Sequence, residues 1–249
     1  MEKDNRVFFY QWTKKSAGLT VETPGPVLVI SMRASHPDIR KKPVRTKVLL
    51  GDEFFRKKEL IREVVLTTTD WIDFEYPISP PSKKKIFLVF KTDRDWQPFN
   101  YLGVPDSRSL ALGLGEMWFK YPSEIAGKKI NVLRTIPSQN WQGKFKENLI
   151  TIGISRMQIK LERENLGLRL WVKGQKALGL GPYIIIRIDN KIIGKTIINE
   201  EKWMPLILTP EIGAGEHVLS VEYTNDLYVQ ELGQDRNVFL GNLDIISIE

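Results

Sequence analysis

Residues 183–198 read YIIIRIDNKIIGKTII, two apolar runs on either side of Asp189 and Asn190. Both runs are rich in isoleucine, a β-branched residue that favours strands. Asp and Asn are common in tight hairpin turns because they tolerate the left-handed backbone conformation that such turns require. The segment therefore predicts a β-hairpin, and it sets the pattern for the rest of the chain.

Short apolar runs separated by turn residues continue on both sides of this hairpin. They cover residues 27–32, 44–50, 61–67, 71–76, 86–91 and 112–119 in the first half, and 149–154, 157–162, 167–173, 203–208, 217–223 and 238–248 in the second. Helical periodicity is scarce, and its best candidate is residues 52–63. We predict an all-β protein of two tandem β-sandwich domains of jelly-roll type, because two packed layers bury one face of every strand.

A repeated pattern supports two domains. Thr92 follows Trp71 at the same distance along the chain as Thr224 follows Trp203, and a polar loop comes after each threonine. A chain of 249 residues suits two units of about 120 residues, each able to bury its own core. The apolar pattern breaks at residues 121–129, so the predicted domains are 1–122 and 130–249, joined by a short linker.

Charge and composition restrict the function classes. The net charge is +7, and the basic residues concentrate in the first half, in Arg40-Lys41-Lys42, Arg56-Lys57-Lys58 and Lys83-Lys84-Lys85. Lysine-rich turns commonly keep β-sheet edges apart, and no nucleic-acid-binding motif accompanies them, so nucleic acid is not an expected partner. The absence of cysteine excludes disulfides and thiolate metal sites. No apolar run approaches the roughly 20 residues that span a bilayer, so we expect no direct membrane contact.

The second polar loop carries two carboxylates. Residues 221–240 read VEYTNDLYVQELGQDRNVFL, which places Asp226 and Asp235 on one segment between strands. Calcium takes six to eight oxygen ligands, and a loop that folds back on itself can supply several of them. The alternative is that Asp235 pairs with Arg236 or caps a turn, while Asp226 faces solvent. Spacing alone leaves both interpretations open.

The motif Thr224-Asn225-Asp226, followed by Asp235-Arg236-Asn237 and an apolar strand, resembles the calcium-dependent xylan-binding modules of bacterial glycoside hydrolases. The resemblance covers most of residues 165–249. It implies a calcium ion held by Asp226, Asp235 and the backbone carbonyl of Gln234, with vicinal sugar hydroxyls at the remaining positions. Asn225 and Tyr228 of the same loop are candidate carbohydrate-binding residues.

The first polar loop has the same frame with different chemistry. Residues 93–110 read DRDWQPFNYLGVPDSRSL, with Arg94 where the second copy has Asp226, so a fixed positive charge replaces the metal. Arg94, Trp96, Asp106 and Arg108 form a candidate carbohydrate site, because charged groups bond vicinal hydroxyls while an exposed aromatic ring covers the sugar. The alternative is a buried network in which Arg94, Asp106 and Arg108 brace the loop beneath Trp96.

Residues 25–119 also resemble β-sandwich regions appended to bacterial membrane glycosyltransferases and other cell-envelope polysaccharide proteins. The pattern Arg94-x-Trp96-x-Pro98, with Gly103 and Asp106-x-Arg108, carries this likeness. It implies an extracytoplasmic or secreted location, as a fragment of a longer chain.

An enzyme is not expected. His36 and His217 lie in no nucleophile motif, and residues 179–181 (GLG) lack the lysine of a phosphate loop and are interpreted as a turn. Two carboxylates on one loop favour a shared cation over opposed acid and base roles. We therefore predict non-catalytic polysaccharide binding, with a catalytic domain of the same chain as a candidate partner. The alternatives are a structural region of a glycosyltransferase and, more weakly, a binder of anionic polymers.

Overall fold

A computed structural model describes residues 10–22, 25–52, 54, 58–78, 85–146 and 149–249. The described residues divide into two compact units: an amino-terminal unit that includes residues 10–22 and the described part of 28–117, and a carboxy-terminal unit that includes residues 25–27 and the described part of 118–249. The predicted linker, residues 121–129, falls within the carboxy-terminal unit. The domain ranges 1–122 and 130–249 stay a prediction. From the predicted basic clusters, Arg56, Lys57, Lys83 and Lys84 lie outside the described residues.

Eight strands come first along the chain: β1 (Gln11–Trp12), β2 (Ser16–Glu22), β3 (Val27–Arg33), β4 (Val44–Gly51), β5 (Lys58–Leu66), β6 (Ile72–Pro77), β7 (Lys85–Thr92) and β8 (Gly113–Lys120). They form two four-stranded sheets, in the orders β1-β8-β3-β6 and β2-β7-β4-β5. Residues 58–63 of the best helical candidate, 52–63, lie in a strand, because β5 begins at Lys58 and pairs with β4. The described residues hold one short α-helix, α1 (Pro98–Leu102).

Ten strands build the carboxy-terminal unit: β9 (Ile130–Ile136), β10 (Gln142–Lys146), β11 (Leu149–Leu161), β12 (Gly167–Gln175), β13 (Tyr183–Ile188), β14 (Lys191–Ile197), β15 (Met204–Leu208), β16 (Gly215–Tyr223), β17 (Leu227–Val229) and β18 (Gln234–Ile248). Short 3₁₀ helices cover Ser138–Asn140 and Gln230–Leu232. Seven strands follow the order β14-β13-β16-β11-β18-β12-β15, with β9 and β17 paired to β18 and β10 paired to β11. The 15-residue β18 thus contacts several partners along its length.

Alternation along the central strands separates a core face from a solvent face. In β13, Ile184, Ile186 and Ile188 are buried and pack in the core of the carboxy-terminal unit. In β16, Leu219 and Val221 are buried in the same core. Because side chains alternate between the faces of a strand, the residues between them point to the opposite face of the sheet. That face is polar, and it becomes important below.

The predicted hairpin is present, with β13 paired antiparallel to β14. Asp189 and Asn190 have φ of 47° and 68°, the left-handed conformation that the sequence predicted for the turn. The all-β prediction is confirmed, whereas the count of two tandem sandwiches stays a prediction. Strands β9 and β10 were not predicted, and the two strands predicted over 149–154 and 157–162 are one, β11. None of the described helices is long and apolar enough to cross a membrane.

Candidate functional site

A buried arginine organises the carboxy-terminal loop, residues 224–237. Arg236 lies in β18 with no exposed surface, and its guanidinium donates to the carbonyls of Ala177 at 2.8 Å, Leu180 at 3.0 Å and Asn225 at 2.9 Å. Charge-assisted bonds of this kind are stronger than neutral ones. The predicted turn at 179–181 is confirmed, since Ala177 bridges Leu180 around it. Arg236 therefore ties this turn to the start of the loop.

The Tyr223 hydroxyl lies among several oxygen atoms of the loop. It is 3.2 Å from Oδ1 of Asp226 and also donates to the backbone carbonyl of Arg236. A hydroxyl has one hydrogen, so it cannot satisfy both acceptors at once. Burial and the charge of Asp226 raise the pKa of Tyr223 well above its usual range, and Asp235 acts in the same direction. Both carboxylates are thus close enough to act on one buried hydroxyl.

The strand pairing of β17 with β18 places the other predicted site residues. Tyr228 lies opposite Asp235, and Val229 lies opposite Gln234. The Asp235 carboxylate accepts a hydrogen bond of 2.8 Å from the Asn237 side chain. The Gln234 side-chain oxygen accepts from the backbone N–H of Leu178 at 2.8 Å, which orders this residue. Tyr228 is 65% exposed, as a ring available for stacking must be.

Asn225 has a structural role at the base of the loop. Its side-chain oxygen accepts from the backbone N–H of Tyr183, and its Nδ2 donates to the carbonyl of Gly181 at 3.2 Å. A Cβ at Gly181 would lie 2.0 Å from the carbonyl oxygen of Ile198, so only glycine allows this approach. Both ends of the Asn225 amide are therefore occupied by backbone, and the predicted sugar contact through Asn225 stays a prediction.

The described contacts of the two loop carboxylates are with uncharged groups. Asp226 lies beside the Tyr223 hydroxyl and Asp235 accepts from Asn237, while the described hydrogen bonds of the Arg236 guanidinium go to carbonyls. The alternative in which Asp235 pairs with Arg236 or caps a turn, while Asp226 faces solvent, stays a prediction, and Asp226 is exposed as that alternative expects. No group of three or more His, Cys, Asp or Glu residues suited to a metal occurs in the described part of the chain. A cation here would need backbone and hydroxyl oxygens beside the two carboxylates, as calcium accepts.

Charged side chains of the amino-terminal loop, residues 93–110, pair with residues outside the loop. Arg94 binds both carboxylate oxygens of Asp38, at 2.8 and 2.9 Å, and also donates to the carbonyl of Lys42. Burial opposes ionisation of Asp38, but the bonds from Arg94 outweigh it and hold the pKa of Asp38 below its usual value. Asp95 accepts from Ser109 and pairs with Lys15 at 3.2 Å. Arg94 is thus bound within the protein, as the bracing alternative predicted for it.

The remaining predicted residues of that loop do not converge on Arg94. Arg108 is mostly exposed and forms a two-point pair with Asp106, which lowers the pKa of Asp106 to about 2. Trp96 is only 9% exposed, so the prediction of an exposed sugar-stacking ring there is wrong. The exposed aromatic rings are Phe99 and Tyr101 of α1, which sequence reasoning missed. Two sequence signals could have predicted this helix: Pro98, which suits the first position of a helix, and Gly103, which ends the helix in the left-handed backbone conformation.

Residues 167–247 match the family model of calcium-dependent, xylan-binding carbohydrate-binding modules. The resemblance predicted from Thr224-Asn225-Asp226 and Asp235-Arg236-Asn237 is therefore confirmed for the second half of the chain. The match includes all the predicted metal-binding residues and both carbohydrate-binding residues of the carboxy-terminal loop. No curated protein matches the chain.

Solved structures resemble the chain only weakly. PNGase F from Flavobacterium meningosepticum is 10% identical, with a TM-score of 0.29 and coverage of 97% of this chain and 92% of that chain. The CBM22 tandem of Paenibacillus barcinonensis Xyn10C is 11% identical, with a TM-score of 0.28 and coverage of 94% and 85%. The Arabidopsis thaliana ANX2 ectodomain is 8% identical, with a TM-score of 0.30 and coverage of 96% and 83%. TM-scores this low carry no argument about function.

Proposed function

We propose that the chain is a non-catalytic carbohydrate-binding protein whose carboxy-terminal unit binds xylan-like polysaccharide through calcium. One observation carries the proposal: the carboxy-terminal loop, inside the segment that matches the family model, holds two carboxylates whose described contacts are with uncharged groups. Calcium is bound by oxygen ligands, and carboxylates provide the charged ones. The loop therefore has the donor chemistry of a calcium site.

The ligands we propose are the carboxylates of Asp226 and Asp235 and the carbonyl of Gln234. The β17–β18 pairing holds Gln234 and Asp235, while Arg236 holds the carbonyl of Asn225, directly before Asp226. Preorganised ligands lower the entropy cost of binding a metal. Bound calcium supplies coordination positions for two vicinal sugar hydroxyls, and exposed Tyr228 offers a ring face beside them.

The polysaccharide partner suits a role in positioning a catalytic domain on its substrate. We propose such a domain, on the same chain or a partner chain, and an extracytoplasmic or secreted location, where polysaccharide is found. Both proposals rest on the family match in the second half of the chain.

The test combines calcium titration with xylan retention on the whole chain. We expect Asp226→Asn with Asp235→Asn to lower calcium affinity at least roughly tenfold, because hard cations need charged oxygen ligands. Retention on immobilised xylan should fall in parallel, and EDTA should abolish retention of the unmodified protein. Glu211→Gln removes an exposed carboxylate of the same unit and should change neither measurement.

Each part of the proposal can fail separately. Equal xylan retention with calcium and with EDTA would show that the protein binds sugar without the metal. Calcium binding with no retention on any glycan would leave a structural metal site and overturn the carbohydrate function. Circular dichroism of the double variant distinguishes a lost site from a lost fold.

A further inference from the structure

A polar cleft lies on the solvent face of β11, β13 and β16, away from the core described above. The cavity measures about 580 Å³ and includes Arg156, Arg187, Ser220 and Glu222. Alternation explains its composition, since the neighbouring positions on these strands fill the core with apolar side chains. We call this cavity the arginine cleft.

Strand register places two arginines on either side of a small residue. Ser220 of β16 pairs with Arg156 of β11 on one side and with Arg187 of β13 on the other. Neighbouring strands are about 4.8 Å apart, so the two arginine Cα atoms are about 10 Å apart across the row. The short serine side chain leaves the space between the guanidinium groups open. A small anion seated above Ser220 would reach both arginines.

The charges of the cleft leave one arginine uncompensated. Glu222 pairs with Arg187 at 2.5 Å, and the carboxylate of Asp189 pairs with His217 at 2.6 Å. Arg156 is exposed and forms no ion pair within the described residues. The carboxylates of Asp189 and Glu222 line the same cavity and repel a dianionic phosphate more strongly than a singly charged carboxylate. The Glu222–Arg187 contact shows that a carboxylate already binds on this face.

We infer that the arginine cleft binds the carboxylate of an acidic glycan, such as a uronic acid side group of a xylan-like chain. The inference rests on the proposed carbohydrate function and adds a ligand class and a second site to it. Arg156 provides the unpaired guanidinium, whose two parallel donors match carboxylate geometry. The Gln158 and Asn190 side chains line the same cavity and provide donors and acceptors for sugar hydroxyls.

The test compares two forms of one polymer. Glucuronic-acid-substituted xylan and the same xylan after carboxyl reduction to neutral side groups differ only in charge. We expect the unmodified protein to bind the acidic form about fivefold more tightly at low salt. A larger ratio is not expected, because an exposed ion pair adds only a small amount to the free energy of binding. Arg156→Gln should remove that preference, so that the variant binds both polymers equally.

Two further variants sharpen the test. Glu222→Gln releases Arg187 from its internal carboxylate and should increase the preference for the acidic polymer. Lys202→Gln removes an equal charge from an exposed turn before β15, at the other end of the strand order, and should not alter the preference. Added salt should reduce the preference of the unmodified protein, since exposed charges are screened.

The outcomes separate this inference from the proposed function. Equal binding of both polymers, still dependent on calcium, would overturn the acidic-glycan site and keep the proposed function. Binding of the acidic polymer alone, lost in Arg156→Gln and unaffected by EDTA, would support the cleft and contradict the calcium site. A preference that survives Arg156→Gln, or failure to bind either polymer, would overturn the inference.

Discussion

The two polar loops use arginine in different ways. In the amino-terminal loop, Arg94 binds a carboxylate, that of Asp38, which lies outside the loop. In the carboxy-terminal loop, Arg236 binds three carbonyls instead, and the described contacts of Asp226 and Asp235 are with uncharged groups. An arginine next to an aspartate in sequence therefore indicates neither an ion pair nor a free carboxylate. The acceptors that the fold presents to the guanidinium decide whether the arginine binds a carboxylate or backbone carbonyls.

The largest effect should come from removing the buried arginine. Arg236→Met keeps a long apolar side chain but deletes three charge-assisted hydrogen bonds and leaves buried carbonyls unsatisfied. We expect the free energy of unfolding to fall by about 3–5 kcal/mol, measured by urea denaturation. Arg108→Met, in the exposed pair of the other loop, is the matched control and should leave the unfolding midpoint nearly unchanged. A similar loss in both variants would contradict the contrast between the loops.

The next effect concerns the two histidines, which should respond to acid in opposite directions. Burial, and then the charge of Arg94, lowers the pKa of His36 to about 4. The Nδ1 hydrogen bond with Asp189 raises the pKa of His217. Below pH 6.5 the unfolded chain takes up a proton at His36 that the folded chain refuses until about pH 4. His36 should therefore cost stability over this range, by roughly 3 kcal/mol at most.

The effect of His217 on the free energy of unfolding has the opposite sign, because its pKa is raised in the folded protein. Its contribution is complete below the unfolded pKa and is lost as pH rises through the raised folded pKa. NMR titration of the two imidazole rings measures both pKa values without any substitution. Unfolding of His217→Gln against the unmodified protein at pH 5 and pH 8 then gives the stability change. A His36 ring that titrates above pH 6.5 would contradict the burial argument.

The smallest effect should separate the exposed aromatic rings of the two loops. Tyr228 and Tyr101 are 65% and 60% exposed, so neither substitution should alter stability greatly. Tyr228→Ala should weaken xylan retention by about two- to tenfold, the range of a lost ring contact. Tyr101→Ala should leave xylan retention unchanged. We expect no calcium beside Tyr101, because Arg94 of the same loop already forms an ion pair with Asp38. Equal weakening by both substitutions would mean that both loops bind sugar.

Sequence reasoning was most successful where local patterns decide structure. The hairpin at 183–198 followed from isoleucine runs and an Asp-Asn turn, and the carboxy-terminal site segment followed from a short motif that the family match confirms. Reasoning failed where burial decides. Trp96 was expected to cover a sugar and is buried. Alternation marks two faces of a strand but does not say which face another layer covers.

The sequence by itself determined the β class and the turn at Asp189 and Asn190, and it supplied the residues that we propose to bind a cation. These depend on side-chain preferences that act over a few positions. Only the tertiary structure decided how each charge is neutralised. Asp38 and Arg94 lie 56 positions apart, and Leu180 and Arg236 are separated by the same number. Pairings at such separations depend on which strands lie side by side, and this arrangement also brought Arg156, Ser220 and Arg187 into one row.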